Sequence, residues 1–374
     1  MLTLLFYCFI AITVIELIYY FAINSNVAFH STLKDKKSHI SEPVSVIVYV
    51  KNQEQKLPEF LELLKAQDFS PGYEIILVNN ASEDESLEIL EDFALKNANA
   101  KLVDVVNNET FWGNKKYALT LGIKVAKFEH LLFVEPAACP MTPNWIFSMS
   151  RGLSTQKNLV IGFTQIANKR RSFINKLIRY QNVQKTTNLF SWSGAGKPLY
   201  GNAYNQAYNK SLFYKVNGFI SHMKIPFSDE YTFINQIGTS TNTSVSFSPD
   251  SFTIIESKNT ISEWKNAIKK QDLLLRKLSV WAQLKIRFFN LNKLLFYIAF
   301  TLLISFLYQW EIVLGVFLFR CIIAHIFSGK TFSKFGTKEL VWTLPLLEII
   351  HIFISTYYSF THFITRQKIE KKYY

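Results

Sequence analysis

The feature that most limits what this chain can become is a set of long apolar runs, nearly free of charge, at its two ends. Leu2 to Ile23 holds a single charge, Glu16, in a run long enough to cross a hydrocarbon core of about 30 Å. No basic region precedes it and no small-residue cleavage pattern follows it, so it is expected to remain as an anchor rather than leave as a signal peptide. Leu294 to Trp310 and Ile312 to Phe327 form two further runs parted near Glu311, and Leu340 to Ile364 forms another. Lys34, Lys36 and Lys37 follow the first run, and Lys285, Arg287 and Lys293 precede the second. By the positive-inside rule, residues 24–293 then lie in the cytoplasm. The last run is ambiguous, because Lys330, Lys334 and Lys338 before it and Arg366, Lys368, Lys371 and Lys372 after it both carry cytoplasmic character. Its polar residues Glu348, His351, Ser355, Ser359 and His362 recur on one helical stripe, which suits either a helix lying in the interface or a span packed inward. Arg320 sits within an apolar run, where insertion costs about 2.5–3.5 kcal/mol, and Glu348 is its expected partner.

Lys+Arg 41 against Asp+Glu 28 gives a formal charge of +13, yet 49% of the residues are hydrophobic. That combination excludes a disordered chain and argues against a soluble nucleic-acid binder. Cys8 and Cys321 lie in apolar runs and only Cys139 lies between them, so neither a disulfide framework nor a Cys-x-x-Cys metal site is expected. Lys169, Arg170, Arg171, Lys176, Arg179 and Lys185 alternate with Phe173, Ile174, Leu177, Ile178 and Tyr180. This composition predicts a membrane-surface helix with its basic face on anionic lipid, and nucleic acid is the weaker rival.

Between the ends, strand and helix patterns alternate. Val44 to Val50 is a continuous apolar run, as for a strand buried on both faces, and the following helix puts Leu57, Phe60, Leu61, Leu63 and Leu64 on one side. Glu74 to Val78, Lys101 to Val106 and His130 to Val134 are further strands, separated by helices over Asp84 to Asn97 and Lys115 to Lys127. Four strand–helix alternations predict an α/β domain with a doubly wound, mostly parallel sheet, whose ligands sit beyond the carboxyl ends of the strands. No Gly-x-Gly-x-x-Gly follows the first strand and no Walker loop is present, which disfavours dinucleotide and P-loop chemistry.

At those strand ends the sequence resembles the membrane-anchored family-2 glycosyltransferases of GT-A type. VSVIVYVKNQEQKLPEFLELLKAQDF is similar to their first strand and helix, EIILVNNASEDESLEIL to their second strand and nucleoside loop, and GNKKYALTLGIKVAKFEHLLFVEPAACP to their third helix and metal loop. FSDEYTFINQI resembles the catalytic-base segment and ISEWKNAIKKQ the interfacial helix before the closing spans. The resemblance implies nucleotide-sugar binding by Asn79, Asn80, Ser82, Asp84, Lys115, Lys116 and Lys270, with Asp229 as base and Glu230 in reserve. It also implies a divalent cation, Mg²⁺ or Mn²⁺, held by a pair of carboxylates. Here the triplet is Glu135-Pro136-Ala137, so one carboxylate remains and holds metal weakly. Asn79 and Asn80 stand where the family carries aspartates. Lys270 replaces a bidentate arginine by a point charge. Ser228 with the acids after it also reads as a helix cap.

The expected plan is an anchor over 1–23, a cytoplasmic GT-A domain over 24–258, an amphipathic interfacial helix over 259–293, membrane segments over 294–364 and a basic tail over 365–374. Two functions stay open. One is inverting transfer of a sugar from a nucleotide sugar to a lipid-linked or envelope glycan acceptor, by a multi-pass protein of a bacterial inner membrane. The other is a catalytically silent scaffold or regulatory subunit that binds other membrane proteins.

Overall fold

The computed structural model describes residues 1–30, 42–106, 114–223, 225, 232–257 and 260–364, with backbone alone at 270 and 359–364. Lys34, Lys36, Lys37, Asp229, Glu230 and the basic tail lie outside the described residues.

In chain order, α1 (Leu2–Tyr19) continues through a π turn (Tyr20–Asn24) into α2 (Ser25–Ala28). There follow β1 (Val44–Val50), α3 (Leu57–Lys65), β2 (Tyr73–Asn79), α4 (Ser86–Lys96), β3 (Ala100–Asp104), α5 (Lys115–Val125), β4 (His130–Val134) and β5 (Ala138–Pro140). Next are α6 (Trp145–Ser150), β6 (Leu159–Ile161), β7 (Thr164–Ile166), α7 (Phe173–Ala195), β8 (Gln206–Asn209), α8 (Lys210–Lys215), α9 (Thr232–Ile237), β9 (Thr243–Val245) and β10 (Thr253–Ile255). The chain closes with α10 (Ile261–Leu275), α11 (Val280–Ser305), α12 (Trp310–Lys334) and α13 (Leu344–Ile364).

These elements form two units. The α/β unit comprises Ser31–Ala167 and Gly196–Ser257, and the helical unit Met1–His30, Asn168–Ala195 and Lys258–Tyr374. The continuous domain expected over 24–258 is therefore divided, because α7 packs with the apolar helices.

In the α/β unit the main sheet runs β3-β2-β1-β4-β8-β6-β9. β1 is parallel to β2 and β4, and β2 to β3, while β8 is antiparallel to both of its neighbours. The parallel half follows from buried, β-branched strands such as VSVIVYV, which need a helix on each face. On one face Leu57, Phe60 and Leu64 of α3, Leu90 and Phe93 of α4, and Trp145 and Met149 of α6 join the strand side chains in one core. Each such side chain contributes about 1.5–3 kcal/mol on burial. On the other face α5 lies so close that a Cβ at Gly122 would stand 2.5 Å from Cγ2 of Val78. A second sheet, β5-β10-β7, is drawn from segments that alternate along the chain with strands of the first.

The helical unit holds four helices long and apolar enough to cross a membrane: Leu2–Ala28, Val280–Ser305, Trp310–Lys334 and Lys338–Tyr358. α11 is continuous from Val280, so the helix expected to end at 293 divides instead between α10, started by a Thr260–Glu263 capping box, and the first half of α11. α7 departs from the surface helix expected from its composition. Leu177, Ile178, Arg179, Tyr180 and Val183 are buried, and Arg179 pairs with Glu339 at 2.5 Å, whereas Lys169, Arg170 and Arg171 stay exposed.

The expected Arg320–Glu348 pair is present and is larger than a pair. Arg320 Nη1 donates to Glu348 Oε2 at 3.0 Å, Arg320 Nη2 donates to Glu16, and Lys293 Nζ lies 2.6 Å from Glu348 Oε1. Tyr297 adds a hydroxyl to Glu348 Oε2 at 3.0 Å. Each of the four candidate spans thus supplies one charge to a buried, formally neutral quartet. A charge in hydrocarbon is tolerated only when paired in this way.

Candidate functional site

The carboxyl ends of β1, β2, β3 and β4 carry most of the candidate residues, and the loops there are tied to one another. Asn52 N–H donates to Ser82 Oγ at 3.1 Å and Glu83 N–H returns to Asn52 Oδ1 at 2.9 Å. Asn52 and Ala81 both adopt positive φ, 51° and 48°, a conformation that costs a non-glycine residue about 1–3 kcal/mol and is kept where neighbours enforce it. Asp84 Oδ2 accepts from Glu54 N–H at 3.1 Å and its Oδ1 from Ser86 N–H at 3.0 Å. Burial pushes the Asp84 carboxyl up, but the hydrogen bonds from Ser86 and Glu54 outweigh it and hold the group below the usual aspartate range. Asp84 therefore stays ionised and pins the start of α4 to the loop after β1.

The two asparagines are spent largely within the protein. Asn79 and Asn80 are each 1% exposed. Asn79 Nδ2 donates to Asp104 Oδ1 at 2.7 Å, and its Oδ1 accepts from Ser82 Oγ at 2.6 Å. Asn80 Nδ2 donates to the Tyr49 hydroxyl at 2.9 Å. Both residues shape the rim, while the exposed carboxylate beside them is Asp104 at the end of β3. Sequence reasoning missed Asp104 because it extended the strand to Val106; the rule that strand ends carry ligands would have found it.

Lys115 and Lys116 part company. Asn114 caps α5 by accepting from Lys116 N–H at 3.0 Å, and one residue of helix turns the two side chains roughly 100° apart. Lys116 is 3% exposed, and its ammonium donates to the backbone carbonyls of Met223 and Ile225. It is neither a solvated lysine nor one facing the rim; it fastens α5 to the chain that leads towards Asp229. Lys115 Nζ lies 2.6 Å from Glu135 Oε1, with 27% and 16% of the two side chains exposed, and 5.3 Å from the centre of the Tyr49 ring. Phe133, Gln206 and Tyr208 line the same small cavity beyond β4, and Gln206 Oε1 is buried with no hydrogen-bond partner among the described residues. Lys270 lies on α10 in the helical unit.

The described residues do not fit a divalent cation. They contain no group of three or more His, Cys, Asp or Glu that could hold one. Glu135 already faces an ammonium, and Ala137 offers no second oxygen. Hard dications take several oxygen ligands, and a lysine 2.6 Å from the Glu135 carboxylate repels them.

Comparison with known proteins agrees with this fold. Residues 45–226 match the Glycosyl transferase family 2 model. The chain carries a family 2 glycosyltransferase domain. This domain is 30% identical over 102 residues to a 4,4'-diaponeurosporenoate glycosyltransferase of Staphylococcus haemolyticus, covering 27% of this chain and 26% of that protein. It is 32% identical over 119 residues to the poly-beta-1,6-N-acetyl-D-glucosamine synthase of Staphylococcus epidermidis, covering 32% and 27% respectively. The match thus spans about a quarter of each relative's length. Among solved structures, a mannosyltransferase from Pyrobaculum calidifontis in complex with GDP-Man and Mn²⁺ superposes over 88% of this chain and 98% of that one, with a TM-score of 0.51 at 14% identity. This likeness concerns the glycosyltransferase fold.

Proposed function

We propose that this glycosyltransferase domain takes a nucleotide sugar at the carboxyl ends of β1 to β4 and transfers the sugar to a lipid-linked or envelope glycan acceptor. The supporting observation is the family 2 domain itself, with Ser82, Asp84, Asp104, Lys115 and Glu135 gathered at strand ends where α/β sheets bind ligands. In this reading the nucleoside lies against Ser82, Asp84 and Asp104, with Asn79 and Asn80 shaping the loop beneath it. The acceptor hydroxyl attacks the anomeric carbon, and the bond from that carbon to the diphosphate oxygen breaks. The hydroxyl proton passes to Asp229, with Glu230 in reserve, and the sugar inverts. The four candidate spans suit an acceptor drawn from a bilayer, in a multi-pass protein of a bacterial inner membrane with this domain on the cytoplasmic side.

Calorimetry of the purified full chain against a panel of nucleotide diphosphate sugars tests the donor half. One donor is expected to bind at least about tenfold more tightly than the rest. Absence of binding by every donor would reject it.

The single carboxylate at Glu135 favours a second reading, a catalytically silent scaffold within a membrane assembly. It predicts that Asp229→Ala leaves the cellular phenotype of the intact chain unchanged while deletion of the chain does not.

A further inference from the structure

The cavity beyond β4 is lined by a polar group that the protein itself does not satisfy. Gln206, the first residue of β8, is 6% exposed, and its Oε1 is buried with no hydrogen-bond partner among the described residues. Two other buried amides of the α/β unit are satisfied internally. Asn205 donates to the carbonyls of Phe163 and Ser251 at 2.8 and 2.7 Å and accepts from Trp145 Nε1 at 3.1 Å. Gln67 donates to the carbonyls of Leu63 and Thr142 and accepts from Ile146 N–H. A buried amide kept without a partner is costly, and its retention points to a partner that arrives from outside. We propose that Gln206 is a specificity residue for the donated sugar, whose amide takes one ring hydroxyl of that sugar in the cavity beyond β4.

Topology places this amide where a sugar would lie. β8 runs antiparallel to β4, with Gln206 opposite Phe133, so the start of β8 reaches the carboxyl end of β4. That is the end of the sheet where ligands bind. The sheet order β3-β2-β1-β4-β8 then decides which part of the donor comes to it. A nucleotide sugar is a linear molecule, with nucleoside and sugar at opposite ends of the diphosphate. With the nucleoside against Ser82, Asp84 and Asp104 at the β2 and β3 ends, β8 lies three strands beyond β2, about 14 Å away, on the side where the sugar falls.

Size and polarity choose a hydroxyl. Phe133, Tyr208 and Phe219 are buried and, with Gln206, give the cavity an uncharged floor, whereas Lys115 and Glu135 at its rim remain part-exposed. The space open to the centre of a water-sized sphere is about 10 Å³, at the lower limit for holding one water. A hydroxyl fits such a space and an acetamido group is too large for it. The two ends of the amide exchange by a half-turn about a terminal torsion with no strong preference. An entering hydroxyl, itself donor and acceptor, therefore meets a complementary atom in either setting.

This inference rests on the donor reading, and the experiment separates the two. UDP-glucose, UDP-GlcNAc and GDP-mannose, with UDP and GDP as controls, are titrated calorimetrically into the full chain in detergent, with and without Mn²⁺. Monodeoxy analogues of the best donor, each lacking one sugar hydroxyl, follow. One analogue is expected to bind about tenfold more weakly than its parent, as for the loss of a buried hydrogen bond. Gln206→Met should weaken the parent donor by about the same factor and leave its nucleoside diphosphate within about twofold. The variant should bind that analogue no more weakly than the unaltered chain does. Its Tm should equal or exceed that of the unaltered chain, because an unpaired amide has been removed, whereas loss of a purely structural amide would lower it. Monodeoxy donors that all bind as tightly as the parent would overturn the proposal without any variant. Equal weakening of donor and nucleoside diphosphate by Gln206→Met would overturn it too, and so would no weakening of either, with the donor reading still standing. If no nucleotide sugar binds, the donor reading falls and this inference falls with it.

Discussion

Removing Arg320 offers a test of the helical unit that the geometry makes unequal among its partners. Arg320, Glu16, Glu348 and Lys293 have side chains 1%, 0%, 5% and 6% exposed. Arg320→Met keeps an unbranched apolar stem but deletes the charge and its hydrogen-bond donors. Glu348 would still have Lys293 at 2.6 Å and the Tyr297 hydroxyl at 3.0 Å. Glu16 would keep no ionic or hydrogen-bond partner among the described residues, since Oε1 meets only Arg320 and Oε2 has none even now. Breaking a buried pair on one side costs about 3–5 kcal/mol, because the other charge is left in low dielectric. We therefore expect Arg320→Met to lose about that much, most of it through Glu16. Adding Glu16→Gln should return about half of the loss. Adding Glu348→Gln should return far less, because Lys293 then becomes the orphan. Reversible unfolding of the full chain in mixed micelles at fixed detergent ratio measures all four corners of each cycle. An Arg320→Met cost below about 1 kcal/mol, or equal rescue by the two glutamines, would refute the reasoning.

Three further outcomes follow from the α/β unit. Glu74, 6% exposed, is pushed up by burial, but Lys101, Ser45 and the Lys127 N–H together hold its carboxyl below the ordinary value of 4.5. A depressed carboxylate stabilises above its unfolded value and loses that contribution as pH falls through its folded value; Glu74→Gln should lower Tm at pH 7 and flatten its decline below about pH 4.5. Gly122→Ala should cost about 1–3 kcal/mol in denaturant melts, since the new Cβ meets Val78 Cγ2 at 2.5 Å, and Val78→Ala in the same chain should relieve part of it. Lys116→Met should lower the rate of sugar transfer about tenfold or more while moving nucleotide affinity less than twofold, because it holds the Met223–Ile225 backbone and not the donor.

Local periodicity carried the sheet well. VSVIVYV, the Leu57–Leu64 stripe and the run His130 to Val134 each form the element that their spacing predicts. It carried side-chain commitments less well. Asn79 and Asn80 stand at a strand end, yet which groups their amides satisfy depends on Asp104 and Tyr49, distant in sequence and adjacent only in the sheet. Lys115 and Lys116 look equivalent as letters, and only the helix start fixed by Asn114 turns one towards Glu135 and the other towards buried carbonyls. Arg320 was matched to Glu348 because an intramembrane charge demands a partner, but Glu16 and Lys293 lie on helices whose neighbours no pattern within a single run specifies. α7 misled for the same reason: a helix with apolar residues on several sides reads as a lipid-facing amphipath until its packing partners are known. The base loop carrying Asp229 and Glu230 lies outside the described residues and still rests on its resemblance alone.

The claim that this domain transfers sugar from a nucleotide donor is tested most directly in proteoliposomes. The full chain, a radiolabelled nucleotide-sugar panel and an extract of envelope lipids are incubated in parallel with Mn²⁺ and with EDTA, and label is counted in the organic phase. Transfer is expected from one donor, falling about 10²–10⁴-fold with Asp229→Asn, the range for loss of a general base. A folded chain that binds the donor yet moves no label with or without Mn²⁺, or an Asp229→Asn variant that transfers at the unaltered rate, would contradict it.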